Sequence, residues 1–105
     1  MPDSLPILPE IDRLIHEPAR LTLLTVLSAC ESADFTFLQT ATGLSKGNLS
    51  VQISRLEEGK LIEVDKVIRN KKTLTTIRLT QSGKEKIMEY WATMDQIRRS
   101  QLRNQ

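Results

Sequence analysis

The sequence predicts a small α+β fold, mainly helical, and three observations carry that expectation. Two short helical patterns are separated by only Gly43, Leu44 and Ser45. Two runs rich in β-branched residues follow, joined by Arg69, Asn70, Lys71 and Lys72, and after them comes a final helical pattern longer than a domain of this size can cover.

With 105 residues the chain can form one hydrophobic core. Hydrophobic residues make up 39% and charged residues 27%, so a packed, water-soluble fold is expected and a disordered chain is not. No apolar run approaches the roughly 18 residues that cross a bilayer, and the opening MPDSLPILPE lacks the basic start and apolar stretch of a signal peptide. No membrane association and a cytoplasmic location are expected. Cys30 has no second cysteine to pair with, and His16 is the only histidine, so neither a disulfide, a structural metal nor a cofactor is expected.

The elements can be justified in order. Pro2, Pro6 and Pro9 make residues 1–9 an extended arm. Ile11, Leu14 and Ile15, then Leu21, Leu24, Val26 and Leu27, recur at helical spacing with Pro18 between them, which predicts a short helix, a kink and a longer helix ending near Cys30. A short strand is expected at Asp34 to Thr36, then a helix capped by Thr36 or Asp34 and stopped by Gly43. Ser45 caps the next helix, whose apolar Leu49, Ile53 and Leu56 share one face, and Gly59 ends it. The segments from Leu61 to Ile68 and from Leu74 to Leu79 read as a hairpin. Thr80 can cap the last helix, along which Ile87, Tyr90, Met94 and Ile97 form a stripe with Trp91 beside it.

Helix, turn, helix and then a hairpin with three cations at its tip is the succession of a winged helix-turn-helix. The full expectation is a two-stranded wing and a long C-terminal dimerisation helix, organised as an arm over 1–9, a DNA-binding core over 10–80 and a dimerisation helix over 81–105. Charge is segregated accordingly. Residues 1–45 carry two Arg against six acids, a net of −4, whereas residues 46–86 carry ten Lys or Arg against five acids, a net of +5, although the whole chain is only +2. A local cation excess of that kind marks a polyanion-binding face, or equally a solvated basic face.

The strings SKGNLSVQISRLEEGKLIEVDK and TTIRLTQSGKEKI, with HEPARLTLLTVL before them, closely resemble the small winged-helix transcriptional regulators related to the MarR and ArsR families, over roughly Ile11 to Met88. The resemblance implies a homodimer that places one reading helix per subunit in successive major grooves of double-stranded DNA and its wings on the flanking backbone. The wing lacks the Asp-x-Arg pattern common in MarR proteins, and the Cys and His ligands of metal-sensing ArsR proteins are missing, so no input signal is implied. The existence of a small-molecule effector stays open.

On the reading helix, about 45–58, the buried stripe turns Gly47, Val51, Ser54, Arg55 and Glu58 outward, flanked by Asn48 and Ser50. Lys46, Gly47, Asn48 and Ser50 are short or flexible enough for the backbone to approach a groove floor. Asn48 could pair with adenine, Arg55 with guanine or a phosphate, and Val51 with a thymine methyl. Arg69, Asn70, Lys71 and Lys72 would meet phosphates or the minor groove, and the helix starts at Ser45 and Thr36 could bind phosphate or simply be capped. Each of these residues could instead be ordinary solvated surface, and Gln52, at the edge of the buried stripe, is the most ambiguous. Ile87, Tyr90, Trp91, Met94 and Ile97, joined by Ile11, Leu14 and Ile15, form the expected dimer seam or else complete the core of one chain. No spacing of nucleophile and base, paired carboxylates or glycine-rich phosphate loop points to an enzyme. The rival functions are a winged-helix module that binds protein partners and, ranked last for want of aromatic residues on the strand faces, RNA binding.

Overall fold

The computed structural model describes residues 8–103, so the arm expected over 1–9 lies outside the described residues except for Leu8 and Pro9. The elements run α1 (Pro18–Ser28), β1 (Ala33–Asp34), α2 (Phe35–Thr42), α3 (Lys46–Glu58), β2 (Ile62–Arg69), β3 (Lys72–Leu79) and α4 (Gln81–Arg103). The wing is not a free two-stranded hairpin. β1 pairs antiparallel with β3, Ala33 opposite Ile77 and Asp34 opposite Thr76, giving a three-stranded sheet of order β1-β3-β2 that fixes the base of the wing to the start of α2.

The short helix expected before Pro18 is a turn. Asp12 accepts from the amides of Leu14 (2.9 Å) and Ile15 (3.3 Å), an alternative that a short polar side chain offers the backbone in place of helix. Pro18 does not kink a longer helix but opens α1, where its missing N–H costs nothing. Glu17 caps it, one carboxylate oxygen accepting from Ala19 (3.1 Å) and the other from Arg20 (2.9 Å). Asp34, and not Thr36, caps α2 by accepting from the Phe37 amide at 2.7 Å, because β1 spans Ala33–Asp34 and so ends two residues earlier than expected. Gly43 takes the left-handed conformation that ends α2, φ 74°.

The core gathers Leu23, Leu24 and Leu27 of α1, Leu38 of α2, Leu49, Ile53 and Leu56 of α3, and Leu61, Ile62 and Ile77 of the sheet region. Each such burial contributes roughly 1.5–3 kcal/mol. Ile15, Ile87 and Tyr90 belong to this same single-chain core, with 0%, 9% and 3% of their surface exposed, which corrects the expectation that they face a partner. The Tyr90 hydroxyl meets His16 Nδ1 at 2.9 Å and so ties the turn before α1 to α4.

The first part of α4 is anchored to the core. Thr80 accepts from the Gly83 amide at 2.9 Å as its N-cap, Ile87 and Tyr90 are buried, and Met94 packs against the core. Further along, local pairs hold the helix: Asp95 binds Arg98 at 2.6 Å and Arg99 at 3.0 Å. The Arg98 hydrogen bond, outweighing partial desolvation and helped by both guanidinium charges, holds the Asp95 carboxyl below its ordinary range. No helix among the described residues is long and apolar enough to cross a membrane.

Candidate nucleic-acid interface

The outer face of α3 is built from two constraints. Leu49, Ile53 and Leu56 must enter the core, and the 3.6-residue period then forces Lys46, Gly47, Asn48, Ser50, Val51, Ser54 and Arg55 outward. All seven are exposed, as is the cap Ser45, whose hydroxyl accepts from the Asn48 amide at 3.1 Å. Ser50, Val51, Ser54, Arg55 and Glu58 line one shallow surface along the helix. Val51, half-exposed at 50%, is the apolar element of an otherwise polar face.

The wing is a hairpin with a two-residue turn. Arg69 pairs with Lys72, and Asn70 (φ 51°) and Lys71 (φ 62°) both take the left-handed region, the geometry that matches the twist of the flanking strands. The turn thus holds Arg69, Lys71 and Lys72 together in solvent. None of the ion pairs among the described residues uses these three, nor Lys46 or Arg55. Arg78, by contrast, is bound to Glu63 directly across the hairpin at 2.5 Å. The cations beyond it toward the tip are therefore available to a polyanion.

Helix and wing form one continuous surface. A groove of about 300 Å³ is lined by Lys46 and Ser50 of α3, by Thr36 with Asp34 and Phe35 at the start of α2, and by Thr73, Leu74 and Thr75 of β3. Thr36, though not the cap, therefore does reach this face. Thr73 and Thr75 were not singled out in the sequence. Their alternation shows that they share a face of the strand, but not that the face turns toward α3.

Two further residues carry the site from beneath. Gln52 is 9% exposed, and its Oε1 accepts from Arg20 Nη1 of α1 at 2.9 Å while its Nε2 donates to Asn48 Oδ1 at 2.9 Å. Arg20 also donates to the carbonyls of Leu14 (2.5 Å) and Arg13 (3.4 Å) and lies 3.7 Å from the Glu17 carboxylate. Burial acts to raise the Glu17 carboxyl, but the amides of Arg20 and Ala19 and the Arg20 charge outweigh it and hold the group below its ordinary value. The sequence shows an arginine within an acidic first segment and Gln52 at the edge of the α3 stripe, but not that the two meet.

The expected seam residues fall into two groups. Ile15, Ile87 and Tyr90 are internal, whereas Ile11, Leu14, Met94 and Ile97 are half-buried and Trp91 is 50% exposed. Met88, one turn from Trp91 on the same helix and 73% exposed, had not been expected there.

Residues 19–98 match the family profile described as a winged helix DNA-binding domain. An uncharacterized protein of Methanocaldococcus jannaschii is 26% identical over 78 residues, covering 74% of this chain and 85% of that protein. The solved structure of a transcriptional regulator homologue from Pyrococcus horikoshii superposes with a TM-score of 0.76 at 26% identity, over 80% of this chain and 83% of its own. A MarR-family transcriptional regulator from Silicibacter pomeroyi shares the fold, with a TM-score of 0.65 at 21% identity, over 86% of this chain and 57% of its own. So does the repressor CouR bound to a 23-mer DNA duplex, with a TM-score of 0.65 at 19% identity, over 74% of this chain and 54% of its own.

Proposed function

Because the chain belongs to the winged helix DNA-binding domain family, we propose that it is a transcriptional regulator that binds double-stranded DNA as a homodimer. In this reading α3 enters the major groove and the wing tip meets the flanking backbone or minor groove. The observation that carries it is the single groove shared by Lys46 and Ser50 of α3 and Thr73 and Thr75 of the wing. It joins the small-residue helix face to the wing strand that begins at the cationic tip. The regulator homologue from Pyrococcus horikoshii and the DNA-bound repressor CouR lend the reading support from outside the chain.

The roles follow from side-chain chemistry. Ser45 and Lys46 at the start of α3 meet phosphate, where exposed backbone N–H groups add to the attraction. Gly47 and Ser50 let the helix backbone approach, Asn48 and Arg55 contact base edges or phosphate, and Val51 packs on a thymine methyl. Arg69, Lys71 and Lys72 supply salt-dependent affinity, with Asn70 holding the turn. Two copies related by a two-fold axis would read a near-palindrome with half-sites about one helical turn apart. No catalytic role is assigned to any residue, and the protein is expected to act in the cytoplasm.

Fluorescence anisotropy against duplex DNA across a salt series tests this. Wild type should bind with a steep salt dependence. The Arg69→Ala, Lys71→Ala, Lys72→Ala triple variant should lose affinity, with its log–log slope reduced by about 0.9 for each phosphate contact removed. Exposed apolar side chains on the wing, Val67 at 40%, Ile68 at 77% and Leu74 at 37%, favour a second reading as a protein-interaction module. Absence of duplex binding by wild type at low salt would select it.

A further inference from the structure

We infer that Arg20 and Gln52 fix the orientation of the Asn48 amide, so that this residue turns its N–H groups, and not its oxygen, toward DNA. The inference rests on the DNA-binding reading above and adds to it a specificity determinant that lies beneath the interface.

The argument starts at Arg20, because a guanidinium has donors and no acceptor. Gln52 must therefore present its carbonyl oxygen to Arg20 Nη1, as it does at 2.9 Å. Its other amide atom, the donor Nε2, is thereby aimed at Asn48 one helical turn earlier, and Asn48 must answer with its own carbonyl oxygen, again at 2.9 Å. Each assignment dictates the next, and the last places the Asn48 Nδ2 amine outward. The relay has little freedom to reverse. Gln52 is almost wholly buried, and the Arg20 side chain is only 14% exposed. Arg20 is also anchored by the carbonyls of Leu14 and Arg13 and by the carboxylate of Glu17. The backbone of Asn48 is held as well, by the Ser45 cap. A free asparagine can offer an acceptor and a donor side by side, the pattern adenine demands. With its oxygen turned back toward Gln52, Asn48 directs its N–H groups outward, and these complement the acceptors N7 and O6 of guanine. Arg20 and Gln52 touch no base in this scheme and act as positioning residues.

The test is selection of preferred duplexes from a randomised pool by the full chain and by three variants, with side-chain amide exchange followed by NMR in the absence of DNA. Wild type should favour guanine at one position in each half-site, by roughly five- to a hundredfold over other bases. Asn48→Ala should lose that preference. Gln52→Met keeps the volume and removes the relay, so the preference should broaden. In Gln52→Glu the new carboxylate still accepts from Arg20 but cannot donate to Asn48, whose amide should turn over and present its oxygen outward. Preference should then move to a base that offers a donor, cytosine or adenine. In the NMR arm the Gln52 amide protons should be protected from exchange and those of Asn48 exposed, with the Asn48 protons becoming protected in Gln52→Glu. The inference is overturned if Asn48→Ala leaves the preference intact, or if Gln52→Glu and Gln52→Met both select the wild-type base. Exposed Asn48 protons in Gln52→Glu would also overturn it. Wild type that binds no duplex removes the DNA-binding reading itself and the specificity claim with it. The exchange data would still report separately whether the relay exists.

Discussion

At the scale of single residues, context reverses what intrinsic preference dictates. Gly83 occupies the first turn of α4, where alanine would ordinarily favour the helix by about 1 kcal/mol. A Cβ at this position would instead overlap the carbonyl oxygen of Leu61, which is already engaged by the Thr80 amide at 3.0 Å. Backbone on both sides leaves only a shift of α4 away from the start of the hairpin, and forced overpacking of this kind costs about 1–3 kcal/mol. Gly83→Ala is therefore expected to lower the melting temperature by about 4 °C or more, followed by circular dichroism. An unchanged or raised melting temperature would show that the helix start yields freely. The string LTQSGKEKI shows the cap and the glycine. It does not show the Leu61 carbonyl, because that contact exists only after the hairpin has folded back. Gln52 was illegible for the same reason. Its position at the edge of the α3 stripe could be counted, but its partner Arg20 sits on another helix.

At the scale of elements, most boundaries were legible because their signals are local. Ser45, Gly43, Gly59 and Thr80 stand where caps and stops are expected, and the structure puts α3 between two of them. Errors arose where one signal had two meanings. Pro18 interrupts the apolar pattern, yet proline also suits the first position of a helix, where the structure puts it. Glutamate is not a favoured N-cap, so nothing local in the sequence marks Glu17 as one. Its cap makes a pH prediction. The folded-state carboxyl is held below its ordinary 4.5, so it stabilises the protein fully above that value, and the stabilisation is lost as pH falls through the lower folded-state value. Glu17→Gln should thus be less stable than wild type at neutral pH by about 1 kcal/mol, the scale of a lost cap. The gap should close as acid is added below 4.5. Denaturant unfolding at several pH values measures it, and a gap that persists undiminished into acid would mean that the carboxylate charge is not its source.

At the scale of the whole molecule, the remaining question is what α4 does beyond its anchored turns. At 1.5 Å per residue its 23 residues reach about 35 Å, in a molecule measuring 66 × 25 × 21 Å. The apolar stripe was visible in the sequence, but periodicity cannot say which of two neighbouring faces enters the core of the chain. The structure buries Ile87 and Tyr90 and leaves Met88 and Trp91 outside, so the proposed seam moves round the helix to those two. Four such side chains meeting across a two-fold axis, each covering on the order of 100 Å², would contribute roughly 10 kcal/mol. The lost freedom of two associating chains costs an estimated 4–15 kcal/mol. With so narrow a balance, charge on one of the two residues should decide the outcome. Sedimentation equilibrium of wild type should give twice the 12.0 kDa chain mass, and Trp91→Glu should give the monomer. DNA affinity should fall with it, because two linked half-site contacts become one. A Trp91→Glu protein that stays dimeric would place the seam on Ile11, Leu14 or the last turns of α4. A monomeric wild type would leave α4 without a copy of itself to pack against, and the near-palindromic operator would lose its basis.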